Sequence, residues 1–318
     1  MKKNKLHLIL SGLVIASIVM VSSCSKKTTA TPAQNNDTSS STDNNTSEAA
    51  SKDISNIGSQ AIDNGHLTTY RLVGGGGNGG GIIAPMSGTV NVVPDLPNKK
   101  VTVTFVSFVG YDGHTRNGTV FYDWSSSTNG AVYFKDAGFS VAVTTPNNDY
   151  MVDGNLITIN KKHVRNLGPV TNSNYTWSDT ANIVIAKANN GGTITWNRTG
   201  NMILLNTNAT TYAGSSVPSV YSTGGFIDWT HAVIGFTGNA SGTTSSGSSY
   251  TANITSRVDY NFNCAPLAQY PYYHPPVAGS IDFTPQGVIT RTINYGTGTC
   301  DNSFTITIGT WSATFNFF

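Results

Sequence analysis

The chain has 318 residues, a formal net charge of +2 and only 11% charged residues, against about 25% in an ordinary soluble domain. Three of its 18 basic residues, Lys2, Lys3 and Lys5, fall in the first 23 positions and none of its 16 acidic ones do, so the remainder carries 15 − 16 = −1. That balance excludes a nucleic-acid binder, which needs a basic face.

Residues 1–23 run from those lysines through an apolar stretch, 8–21, to the small Ser22 and Ser23 before Cys24. This is the layout of a secretory signal. The apolar stretch is shorter than the roughly 20 residues a membrane-spanning helix needs, and the polar Ser25, Lys26 and Lys27 follow at once, so cleavage before Cys24 is expected. Residues 24–66 are rich in Ser, Thr, Asn, Asp and Ala. Such a composition buries too little apolar surface to offset chain entropy. We read it as a disordered tether, with at most a helical turn over 54–62. It holds the one glutamate of the chain, Glu48.

Residues 67–90 form a Gly-rich linker around the run 74–81. Any glycine run matches the GxGxxG phosphate loop, but that loop needs a strand before it and a helix after it. Here Ile82, Ile83, Ala84 and Pro85 follow, and the run is read as a linker.

From 91 to 318 the pattern changes to short runs of β-branched and aromatic residues, expected as strands. They cover 101–108, 118–124, 131–135, 139–145, 156–160, 182–188, 192–197, 202–206, 232–237, 250–258, 279–284, 287–293, 303–308 and 311–317. The first, with such residues at nearly every position, reads as a strand covered on both faces. Hairpin turns are expected at Asp153-Gly154, Asn189-Asn190-Gly191, Pro285-Gln286-Gly287 and Gly309-Thr310. No helical period extends beyond two turns. The scarcity of Glu, a good helix former, agrees. The fold class is therefore all-β: an antiparallel sandwich or a large twisted sheet built from hairpins, as one domain or two tandem subdomains.

Three segments carry a resemblance. Val21-Ser22-Ser23-Cys24 resembles the lipobox of bacterial lipoproteins, in which the cysteine thiol is joined to a diacylglycerol. Tyr111-Asp112-Gly113-His114-Thr115-Arg116-Asn117-Gly118-Thr119 and the run from Arg291 to Asn302, with its Tyr295-Gly296-Thr297-Gly298-Thr299-Cys300-Asp301-Asn302, are similar to segments of uncharacterised Bacteroidetes-type outer-membrane lipoproteins. The resemblance covers roughly 101–318 and implies a lipid-anchored envelope address and a β architecture, with Cys264 as partner of Cys300. Asn294 and Thr297 stand where acidic residues are common in that family, which weakens a cation site.

Cys264 and Cys300 are the only cysteines after Cys24. Export to an oxidising compartment favours a disulfide between them. The six histidines show no metal-ligand spacing, and no cofactor is implied. The aromatic run Tyr270, Tyr272, Tyr273 and His274, stiffened by prolines, is a candidate binding segment for a sugar ring or another chain. Glycan hydrolysis would need two carboxylates across a cleft. Only Asp228, in an apolar setting, with Asp123 and Asp282 behind it, suggests one.

The expected function is a non-catalytic binding or structural module. Its partners are membrane lipid through acylated Cys24 and a glycan or envelope protein. The alternatives are a glycan- or peptidoglycan-acting hydrolase and a periplasmic assembly or lipid-carrier factor, which would enclose a deep apolar cavity.

Overall fold

The computed structural model describes residues 39–65, 85–110, 114–170, 174–220, 231–265, 275–301 and 303–316. One helix, α1 (Ser39–Gly65), precedes sixteen strands: β1 (Pro85–Asp95), β2 (Lys100–Gly110), β3 (Thr115–Asp123), β4 (Ser140–Thr144), β5 (Met151–Val152), β6 (Asn155–Val170), β7 (Asn174–Ala186), β8 (Thr193–Leu204), β9 (Thr210–Tyr212), β10 (Ser215–Val217), β11 (Val233–Thr243), β12 (Ser249–Asn261), β13 (Pro276–Pro285), β14 (Arg291–Thr297), β15 (Ser303–Ile308) and β16 (Trp311–Asn316).

Fourteen of these strands make one antiparallel sheet in near-sequential order, with β4 and β5 both lying between β3 and β6, and β9 and β10 forming a separate hairpin. The hydrogen-bonded ladder is unbroken from β1 to β16, so these strands form one continuous sheet. Local chemistry explains the meander. The Asp153-Gly154 turn holds both residues at positive φ (51° and 80°), as a two-residue hairpin requires. Asn189 and Asn190 take the left-handed region that asparagine tolerates.

Along β2 and β13 buried and half-exposed positions alternate, the signature of a sheet with one covered face. Residues 101–108 are thus buried on one face only, contrary to the expectation from their composition. The inner face carries Val101, Val103, Phe105, Val120, Tyr122, Ile183, Ile185, Ile194, Trp196, Phe283, Ile293 and Phe304 in one continuous core.

What covers that face is helix α1. Residues 39–65, assigned by composition to the tether, form a 27-residue helix, and its Ile54, Ile57, Ala61 and Ile62 are buried in the core. The helix packs on β1, β2, β7 and β8, and its Lys52 lies over the rings of Phe236 on β11 and Tyr260 on β12, 5.0 and 5.1 Å from their centroids. The sheet therefore curls around it. Close approach is built in at Gly58, where a Cβ would stand 2.4 Å from the Tyr122 ring.

Other expectations shift. Residues 131–135 form turns instead of a strand, because Phe134 caps the sheet end: its ring stacks on Trp177 at 5.7 Å and its carbonyl accepts the Trp177 Nε1–H at 2.9 Å. The runs 192–197 and 202–206 belong to β8 and the segment after it, and the run beginning at 287 pairs only from Arg291. Residues 85–90, placed in the linker, begin β1. Residues 67–84 lie outside the described residues.

Candidate functional site

The most unusual chemistry in the molecule lies between α1 and the inner face. Ion pairs and polar contacts follow one another up the helix. Asp43 Oδ1 sits 3.0 Å from Lys187 Nζ, and its Oδ2 accepts from the Ser245 N–H at 2.7 Å and hydroxyl at 2.8 Å. Asn44 Oδ1 accepts from Trp196 Nε1 at 3.1 Å. Both Glu48 oxygens accept from Arg198 Nη1 at 2.5 Å. Ser51 Oγ accepts from Lys162 Nζ, which also reaches Asp179 Oδ1, both at 2.8 Å. Asp53 takes Arg116 Nε at 3.1 Å and Nη2 at 2.5 Å and accepts the Tyr150 hydroxyl at 3.2 Å. The Tyr122 hydroxyl donates to the Ile54 carbonyl at 2.8 Å.

A helix so rich in Ser, Thr, Asn and Asp has weak intrinsic propensity, and these partners supply what propensity does not. They also control the local electrostatics. Burial, reinforced by the Asp53 charge, pushes the Tyr122 and Tyr150 hydroxyls well above the usual range. Burial works against the Arg198 charge, but Glu48 and Asp179 outweigh it and hold the guanidinium protonated. Burial also holds Lys52 below the ordinary lysine range, against the pull of Glu48.

The space left is small. Between Asn45, Glu48 and Lys52 on the helix and Arg198, Ile281 and Phe283 on the sheet lies a cavity of about 40 Å³. It has room for a few water molecules at most.

Both segments that carry the family resemblance have structural work in the described residues. Arg116 is the partner of Asp53, Asn117 Oδ1 accepts from the Ser107 N–H at 2.7 Å, and the Thr119 N–H donates to Asp149 at 3.0 Å. Gly118, at φ 88°, leaves no room for a Cβ against the Asp149 carbonyl, which would stand 2.1 Å away. In the second segment Tyr295 is buried, Asn294 Oδ1 accepts from the Gly296 N–H at 2.8 Å, and Asp301 Oδ1 accepts from the Ser303 N–H at 3.0 Å. Asn294 thus fastens its own turn.

Cys264 and Cys300 are joined, with their Cα atoms 5.4 Å apart. The disulfide ties the loop after β12 to the loop after β14, at the end of the sheet where the β9–β10 hairpin also lies. There the Tyr212 hydroxyl donates to Asp259 Oδ2 at 2.8 Å, and Arg257 holds both Asp259 oxygens.

Of the carboxylates singled out for hydrolysis, Asp123 and Asp282 are among the described residues, and each is engaged locally. Asp123 accepts from the Ser125 N–H at 2.9 Å and lies 3.8 Å from Lys100, whereas Asp282, on β13, accepts the Thr292 hydroxyl at 2.6 Å. Asp228, Cys24 and the binding candidates Tyr270, Tyr272, Tyr273 and His274 lie outside the described residues. One hydroxyl–imidazole pair went unseen in the sequence, since its members are far apart: Ser140 Oγ lies 2.8 Å from His163 Nε2 and 3.0 Å from Ser126 Oγ. With Ser127, which accepts from the Ser140 N–H, it fastens the loop after β3 to β6. Among the described residues no group of three or more His, Cys, Asp or Glu side chains could hold a metal ion.

The outer face is rich in hydroxyl and amide groups, with the charged Lys161 and Arg165 exposed among them on β6. Asn160, Asn182 and Asn197 form a ladder across β6, β7 and β8 at 2.7 and 2.5 Å. Hydroxyl pairs continue it elsewhere, as at Thr195 and Thr243 and at Thr104 and Thr119. Comparison of the chain with family models, with curated proteins and with solved structures returns no match.

Proposed function

We propose that the protein is a lipid-anchored lipoprotein of the outer membrane that serves as a non-catalytic binding or structural module of the cell envelope. The observation that carries this reading is the order of parts. A lipobox-like Val21-Ser22-Ser23-Cys24 is followed, after residues 25–38, by a helix wedged into the sheet. A lipid on Cys24 would then be joined mechanically to the whole body through α1. Two or three acyl chains make a stable anchor.

The small cavity beside Glu48 and the local engagement of Asp123 and Asp282 favour binding at the surface over chemistry within. The hydroxyl- and amide-rich outer face suits a glycan or another envelope protein as partner. Growing cells on an alkyne fatty acid and isolating the protein tests the anchor. Labelling that disappears in Cys24→Ser, with release of the chain from the membrane fraction, is the expected result. An unlabelled wild-type chain would overturn the reading. For the partner, binding of the purified protein to a glycan array, without cleavage of any bound glycan, is expected. Turnover that disappears in Asp228→Asn while the fold is retained would replace the module with a hydrolase.

A further inference from the structure

The two ends of the sheet differ in kind. At one end the strands are joined by short turns: 153–154 between β5 and β6, 187–192 between β7 and β8, 244–248 between β11 and β12, 286–290 between β13 and β14, and 309–310 between β15 and β16. At the other, β3, β8 and β12 end at Asp123, Leu204 and Asn261 before connections of more than a dozen residues to the next strand of the sheet, and the disulfide lies there as well. Helix α1 starts at the short-turn end, because Asp43, in its first turns, is held by Lys187 and by Ser245 from two of those turns.

We propose that this short-turn end rests on the surface of the membrane that holds Cys24, with Ile289 and Trp311 seated in the lipid interface. The inference rests on the anchoring reading above and adds which face of the body meets the bilayer. Three observations carry it.

The first is reach. Residues 25–38 separate Cys24 from α1, and fourteen residues span at most about 50 Å when fully extended. A strand as long as β12, with 13 residues, is itself roughly 40 Å long. Turning the long-loop end to the membrane would consume nearly the whole length of that connection; the short-turn end needs little of it.

The second is the pair of apolar side chains. Ile289 is 42% and Trp311 40% exposed. They stand on adjacent turns, since Arg291 pairs with Ile308 and Ile308 with Trp311. Tryptophan, with an apolar body and a polar N–H, favours the membrane interface. The long-loop end also exposes Val93, Leu96 and Leu167, but these lie a strand's length from the start of α1.

The third is charge. At the short-turn end Lys187 is paired with Asp43, and the His114 ring nitrogen Nδ1 lies 2.6 Å from Asp153, while Arg291 is buried. Among the described residues this end therefore presents little unpaired charge, and its contact with lipid needs no anionic headgroup.

The test uses the full chain, extracted from cells in detergent and reconstituted into vesicles of phosphatidylethanolamine and phosphatidylcholine brominated in the acyl chains. Bromine quenches tryptophan emission at short range; of the five tryptophans, Trp124, Trp177 and Trp196 are buried in the protein, and Trp229, outside the described residues, is replaced throughout by Trp229→Phe. The expected result is a quenched component that is lost in Trp311→Phe and falls at least twofold in Ile289→Asp, with no change when phosphatidylglycerol is added. In the Trp311→Phe background, Leu96→Trp is expected to restore no quenching. Quenching that Trp311→Phe leaves intact, or that Leu96→Trp gains, overturns the orientation. The same preparation is assayed for the alkyne acyl label. An acylated chain without Trp311 quenching overturns this inference alone, whereas a chain without the label overturns the anchoring reading and this inference with it.

Discussion

Aromatic pairs pack in both halves of the curled sheet, as Phe105 with Phe108 at 5.1 Å and Phe134 with Trp177 at 5.7 Å in the first, but the two halves differ in what is added to them. From β2 to β8 the interior is fastened to α1 by charge, through Arg116, Lys162, Lys187 and Arg198 facing Asp53, Ser51, Asp43 and Glu48. From β11 to β16 the disulfide is added at one end. There Tyr250 stacks on Phe283 at 5.4 Å, Phe236 meets Tyr260 edge-on at 5.6 Å, and Phe304 stacks on Phe315 at 5.7 Å. Rings bury area and tolerate small shifts. Buried ion pairs are demanding, since each charge taken out of water needs its partner in place. The charged half therefore specifies where the helix sits, and the rings of both halves close the core.

The largest way to break this contrast is Asp53→Ala. It leaves the Arg116 guanidinium, fully buried, without its carboxylate, and is expected to cost about 3–5 kcal/mol, read as a lowered denaturation midpoint. Adding Arg116→Met should recover most of that loss, because a buried ion pair replaced by apolar side chains is often neutral. No such rescue would mean that the pair stabilises the fold beyond its mutual compensation. In the other half, Cys264→Ser with Cys300→Ser opens a loop of sequence separation 36, worth roughly 3–4 kcal/mol through the unfolded chain. Because the effect lies there, the double variant should keep the charged half unchanged, as judged by an unaltered response to salt.

A smaller effect is expected of Gly58→Ala. The methyl gains about 1 kcal/mol of helix propensity, but the Tyr122 ring in its way is fully buried and held by its hydroxyl to Ile54. The overpacking should cost about 1–3 kcal/mol, so a net loss in thermal unfolding is expected. Stabilisation would show that the helix stands off the sheet.

The smallest concerns Asp153. Burial works against its carboxylate, but hydrogen bonds from His114 and the Thr115 N–H hold its pKa below the ordinary value. A group with a depressed folded pKa adds stability that is present above its unfolded pKa, near 4, and is lost as pH falls through the folded value. Asp153→Asn should therefore flatten the acid limb of the stability profile below about pH 4. The change should be under about 1 kcal/mol, as expected for a partly exposed pair. An unchanged acid limb would remove His114 and Asp153 from the account of this turn.

Much of the β body was legible because its causes are local. Asp153-Gly154 and Asn189-Asn190 take left-handed backbone wherever they occur, and runs such as 303–308 alternate sides in any sheet. The cysteine pair was legible as well, since only two remained after Cys24. The helix was not. Its buried stripe runs through Asp43, Ser47, Ala50, Ile54, Ile57 and Ala61, a 3–4 residue spacing whose first half is polar. A reading that equates burial with apolar character passes over it. The one signal that could have found it is Glu48, a lone glutamate in a chain that otherwise does without the residue. In the same way Arg116 was noticed as part of a family segment, but its role needed Asp53, 63 positions earlier.

The sequence by itself determined the order of parts: a signal-like start ending at Cys24, a Gly-rich stretch, and an antiparallel meander whose turns choose themselves. Only the tertiary structure decided that residues 39–65 fill the sheet as a helix, and so that the connection from Cys24 to the body is short. The reason is physical. A polar segment cannot buy its own helix from propensity or apolar area, and the partners that compensate its buried charges, from Arg116 to Arg198, come together only when the sheet has curled around it.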